Sequence, residues 1–106
     1  MATGRLGAFD LSAATNTTVY TCPADTFAVV TVSVCNRAAT ASTIQIAISS
    51  SATPGVAEYI EFDTSLSAKG VIERTGLVLS AGQLLVVRSS AATVNAVAYG
   101  IETATV

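Results

Sequence analysis

Two stretches of this chain alternate apolar and polar residues with a period of two, and that rhythm limits the backbone to extended structure. In residues 27–35 the series Val30, Val32, Val34 alternates with Thr31, Ser33 and Cys35. In residues 43–49 the series Ile44, Ile46, Ile48 alternates with Thr43, Gln45, Ala47 and Ser49. Successive side chains of a strand point to opposite faces, so each stretch presents one apolar face to a core and one polar face outward. Helical spacing is missing: no window of useful length places apolar residues at i, i+3, i+4 and i+7. The abundant Thr and Val, stiff at χ1, favour extended backbone as well.

Other segments follow the same pattern. Residues 58–63 read as a strand with Ile60 and Phe62 on one face and Tyr59, Glu61 and Asp63 on the other. Residues 71–79 read as a strand bent or bulged at Gly76. Residues 84–88 follow the turn Ser80-Ala81-Gly82, and residues 94–102 place Val97, Tyr99 and Ile101 on one face. Residues 5–11 and 18–22 are shorter strands. Turn signals punctuate the runs at Asn16, Pro23-Ala24-Asp25, residues 36–41, Thr53-Pro54-Gly55, Ala68-Lys69-Gly70 and residues 89–92. About eight short strands at 8–12-residue spacing predict an all-β fold, a single-domain antiparallel β-sandwich of jelly-roll or immunoglobulin-like topology. The domain is expected to span residues 1–106, with residues 1–11 as an N-terminal arm.

Composition narrows the function. The chain is 51% hydrophobic with a mean hydropathy of +0.61, and only 11% of its residues are charged, against about 25% in typical globular proteins. A free-standing soluble domain intersperses charges over its surface; this chain has few to use. Part of its exterior is therefore expected to be covered by neighbouring subunits. Its cations Arg5, Arg37, Lys69, Arg74 and Arg88 are scattered singly and the net charge is −2, so no basic stripe exists to neutralise nucleic-acid phosphates. No apolar run approaches the roughly 20 residues of a membrane-spanning helix, and no basic amphipathic helix is visible. The N-terminal residues lack the apolar stretch of a secretory signal, so assembly in a cytoplasm is expected.

Reactive side chains are sparse. The chain has no histidine, which removes Ser-His-Asp and Cys-His arrangements and the commonest general base. Neither a CxxC pair nor a phosphate-cradling glycine loop is present. A non-enzymatic protein without cofactor or metal is expected. The one carboxylate group is Glu58, Glu61 and Asp63, with Glu73 further on. At i and i+2 of a regular strand, Glu61 and Asp63 share a face about 7 Å apart. Such a pair suits glycoside hydrolysis or Ca²⁺, yet an exposed acidic face pairing with Arg74 or Arg37 is the favoured expectation. Tyr20, Tyr59 and Tyr99 lie on three different strands and are expected to pack in the core or on sheet faces, with a sugar-binding platform as the alternative. A hairpin around Pro23-Ala24-Asp25 would hold Cys22 and Cys35 some 25 Å apart, beyond the roughly 7 Å limit of a disulfide, so both thiols are expected reduced. Asn16-Thr17-Thr18 reads as a turn and Lys69 as a solvated loop tip.

Four segments, GRLGAFDLSAATNTTVYTCP (4–23), VSVCNR (32–37), EYIEFDTSLSAKGVIERTGLVLSAGQLLVV (58–87) and VNAVAYGIE (94–102), together resemble the small virion structural proteins of tailed bacteriophages, especially those of cyanobacteria and other aquatic hosts. The resemblance implies a component of the virion, assembled in the host cytoplasm, whose partners are itself, as a homo-oligomer such as a trimer, and the major capsid protein or other virion proteins. The leading expectation is a capsid decoration, or cement, protein. A tail, collar or baseplate-associated subunit comes second, and a carbohydrate-binding module for host attachment third. The charges expected to cross a subunit boundary are Arg5, Arg37, Glu61, Asp63, Glu73 and Arg74.

Overall fold

The alternating segments form eight strands in a computed structural model that describes residues 3–105. They are β1 (Thr3–Asp10), β2 (Thr17–Thr21), β3 (Thr26–Asn36), β4 (Ser42–Ser49), β5 (Tyr59–Leu66), β6 (Val71–Leu79), β7 (Leu84–Ser89) and β8 (Val94–Ala104). A 3-10 turn at Val56–Glu58 precedes β5. Each expected strand is present, with ends shifted by at most a few residues.

Two antiparallel four-stranded sheets result: sheet A in the order β1-β8-β3-β6 and sheet B in the order β2-β7-β4-β5. Along the chain β4 pairs with β5, β3 with β6, β2 with β7 and β1 with β8. One long hairpin is thus rolled up so that β3 also pairs with β8 and β4 with β7. This is the jelly-roll arrangement of a β-sandwich. The hairpin expected around Pro23-Ala24-Asp25 does not form, because β2 and β3 lie in different sheets and those residues carry the chain across the sandwich. Alternation and a turn signal look alike whether the next strand returns to the same sheet or crosses to the other. Both cysteines are free. The Cys22 thiol sits beside the Thr26 and Leu79 carbonyls, and Cys35 lies nine residues up β3 from Thr26, about 30 Å away at 3.3 Å per residue.

The core follows the alternation. Ala28, Val30, Val32 and Val34 of β3, Ile44 and Ile46 of β4, Leu85 and Val87 of β7, and Val94, Ala96 and Ala98 of β8 are buried between the sheets. Ala96 and Ala98 stand opposite Val34 and Val32, so small side chains face branched ones across the central pair, as close packing of a layer favours. Asn36 closes one end of the core. Fully buried, it donates through Nδ2 to the Thr40, Leu66 and Ser67 carbonyls and accepts from the Ala38 N–H.

Irregularity is confined to the edges. The central pairs β3–β8 and β4–β7 run without a register shift, whereas β1 gains an extra residue at Leu6, β2 at Val19, and β6 at Thr75-Gly76. The bend expected at Gly76 is there, with φ +69°. In β5 two bulges fall within four residues: Glu61 opposes Ile46 while Tyr59 opposes Ala47 and Thr64 opposes Ile44. Asp63 takes φ +50° in the second bulge. All four edge strands are therefore kinked, which blunts pairing with a strand of another chain.

The double bulge overturns the face assignment expected for residues 58–63. Glu61 turns into the seam between the sheets and meets Arg74 of β6 at 3.1 Å, its side chain only 15% exposed. Asp63 faces outward and accepts a hydrogen bond from Gln45 Nε2 at 2.8 Å. Tyr59 joins Phe62, with ring centroids 4.9 Å apart and edge to face, and not Glu61. The two carboxylates that strict alternation places together are on opposite faces of the sheet.

Candidate interaction surface

The outer face of sheet A carries the least explained chemistry in the molecule. The described residues include nine large apolar side chains that are exposed, and six of them, Phe27, Val29, Val71, Val78, Tyr99 and Ile101, sit at outward positions of β3, β6 and β8. Five form one patch. Val29 pairs with Ile101 on one side and with Val78 on the other, making an apolar row across three adjacent strands. Phe27 lies two residues along β3 and Tyr99 two residues along β8, each on the same face. Their exposures run from 36% at Val29 to 59% at Val78.

A polar margin flanks the patch. Tyr99 reaches across β3 and donates its hydroxyl to Glu73 Oε2 of β6 at 2.6 Å, and this bond to a carboxylate raises the phenol's pKa. Arg5 of β1 stands beside Tyr99 in register and enters no ion pair among the described residues. The face thus carries Arg5 and the Asp10–Arg37 ion pair at its β1 margin and Glu73 at its β6 margin, with apolar side chains between.

Of the six charges expected at a subunit boundary, Arg5 and Glu73 are the two that lie on this face without an ion pair among the described residues. Arg37 is held within the chain by Asp10, at 2.6 Å, and by the Thr93 carbonyl. Arg74 and Glu61 bind each other, and Thr64 donates to Glu61 at 2.6 Å. Asp63 is on the outer face of sheet B. The apolar patch itself was absent from the expectations, although the sequence contained a signal for it. Phe27-Ala28-Val29-Val30 and Leu77-Val78-Leu79 do not alternate; they are continuous apolar runs, as in strands covered on both faces.

Elsewhere several polar groups are committed to the fold. A shallow cavity of about 240 Å³ on sheet B is lined by Thr43, Gln45, Asp63, Arg88, Ser89 and Ser90 among others. Ser90 Oγ accepts from the Thr43 N–H, Ser89 Oγ from the Ala91 N–H, and Asp63 from Gln45. The tyrosines do not share a platform: Tyr20 is in the core, Tyr59 on sheet B and Tyr99 on sheet A. The described residues hold no group of three or more side chains able to ligate a metal, and no helix long and apolar enough to cross a membrane. Comparison with protein-family models, with curated proteins and with solved structures finds no match for this chain.

Proposed function

We propose that this protein is a structural subunit of a tailed-bacteriophage virion, a decoration protein of the capsid, and that it works by protein–protein contact through the outer face of sheet A. The carrying observation is the patch of Phe27, Val29, Val78, Tyr99 and Ile101 on a regular sheet face. Contiguous exposed apolar surface on a small domain marks a binding site for protein. Jelly rolls serve in viral shells and in lectins alike, so fold alone does not choose between them. The choice rests on the apolar face, the scarcity of charge, the lack of histidine and the resemblance of the four segments to virion proteins. The partners in this reading are further copies of the chain and the major capsid protein.

Imaging of intact particles tests it. Density for this sandwich repeating over the shell lattice, with hundreds of copies per particle, is the expected result. Density restricted to the tail or to one vertex would replace decoration with the tail-associated role. Absence of the protein from purified particles removes both.

A further inference from the structure

We infer that the outer face of sheet A is a self-association surface, closed by a second copy of this chain across a two-fold axis running along the strands. This deepens the assembly role proposed above by naming the partner of that face. Three observations carry it. The first is area. Side chains of roughly 150–250 Å² each, about four-tenths exposed, leave on the order of 400 Å² of apolar surface in the five-residue patch. A standard interface needs about 800 Å² per partner, with an apolar centre and a polar rim. The patch supplies such a centre, and Thr31, Ser33, Thr103 and the two flanking charges surround it on the same face.

The second observation is charge. A two-fold axis parallel to the strands exchanges the β1 and β6 margins of facing sheets. It carries Arg5 of one copy toward Glu73 of the other, and the reverse. The two residues are one alternate position apart along the strands, since Arg5 is level with Tyr99 and Thr31 while Glu73 is level with Ser33. That offset is about 7 Å, within reach of an arginine side chain. Asp10, the other charge of β1 on this face, is already paired with Arg37. Among the described residues the face thus offers one unpaired cation at one margin and one anion at the other, an arrangement that is self-complementary under that rotation, as an isologous interface requires.

The third is the state of the edges. All four edge strands are bulged, which disfavours association by strand addition. The centre of the face is regular, with β3 and β8 paired over eleven residues without a shift. Face-to-face packing of two such sheets, about 10 Å apart, is the arrangement found inside β-sandwiches.

Sedimentation equilibrium on the purified full chain tests the inference. The expected result is a dimer of the 10.7 kDa chain. Ile101→Glu and Val78→Glu, both at outward and half-exposed positions, are expected to yield folded monomers with an unchanged far-ultraviolet spectrum. Arg5→Glu or Glu73→Arg alone places like charges across the axis and is expected to weaken the dimer about tenfold. The double reversal Arg5→Glu/Glu73→Arg restores it. A wild-type chain that stays monomeric, an oligomer indifferent to Ile101→Glu and Val78→Glu, or a double reversal no better than the singles would each overturn the inference. The virion role is judged separately: a dimeric chain missing from particles removes that role and leaves the dimer, while a monomeric chain seated on the shell does the opposite.

Discussion

Glu61 of β5 and Arg74 of β6 join the outermost strands of the two sheets, with 3.1 Å between Oε2 and Nη1. Strict alternation along β5 sends Glu61 outward; the bulge at Ile60 turns it inward to meet the arginine. Arg74→Glu therefore acts first on the fold. It places a second carboxylate beside one that is mostly buried, and a loss of about 1–3 kcal/mol is expected, below the full cost for a buried pair because Arg74 is partly solvated. Urea unfolding measures it. Glu61→Leu/Arg74→Met, which removes both charges, is expected to lie within about 1 kcal/mol of wild type. Equal stability of Arg74→Glu and wild type would show that the bridge contributes nothing.

Asn36 ties the loop after β3 to the end of β5. Its Nδ2 faces three carbonyls and its Oδ1 takes the Ala38 N–H. Asn36→Ala leaves these buried groups unpaired and is expected to cost about 3 kcal/mol. Asn36→Asp, nearly identical in shape, is expected to be at least as damaging at neutral pH, since an oxygen then faces the carbonyls. A shape-conserving change that costs nothing would rule out the hydrogen-bond account.

The Tyr20 hydroxyl donates to Glu102 Oε2 at 2.6 Å inside the sandwich. Burial, and then the bond to the Glu102 carboxylate, push its pKa well above the usual tyrosine value. The folded state thus favours the neutral phenol. Its contribution is complete below the unfolded pKa of about 10 and is lost as pH rises through the higher folded-state value. Stability is expected to decline above pH ~10, and Tyr20→Phe to flatten that decline while costing about 1–2 kcal/mol at neutral pH. Denaturant midpoints at several alkaline pH values give the comparison. A decline equally steep in both proteins would assign it to other groups.

Thiol chemistry reports on the path between the sheets. Cys22 is buried and its pKa is raised by burial, whereas Cys35 is half-buried on the outer side of β3. A thiol held in its neutral form reacts slowly, because the thiolate is the nucleophile. Native protein is expected to react with a thiol-specific reagent at Cys35 well before Cys22, and unfolded protein at both together. Prompt modification of Cys22 in the folded state would contradict the placement of residues 22–26 against Leu79.

The strands themselves were legible from the sequence. Alternation in β3 and β4, the turn clusters between runs, and Gly76 as a site of bending are local properties, and the backbone obeys them because a two-residue period allows only one apolar face per strand. The charges expected at a subunit boundary were less legible. A charged side chain does not show in sequence whether it meets a partner within the chain, as Arg37 does Asp10, or forms no ion pair among the described residues, as for Arg5. The split of Glu61 from Asp63 depends on bulges that insert a residue and reverse the phase of alternation, and no residue in 58–63 announces them as Gly76 does.

By itself the sequence determined an all-β chain of eight strands with an alternating core and no histidine-based chemistry, because these follow from residue type and short-range period. The tertiary structure alone decided which strands pair, that residues 23–25 cross between sheets where a hairpin looked equally good, and that Phe27, Val29, Val78, Tyr99 and Ile101 meet on one exposed face. Those outcomes depend on contacts between residues far apart in the chain, where sheet order and register bring side chains together that no local window contains.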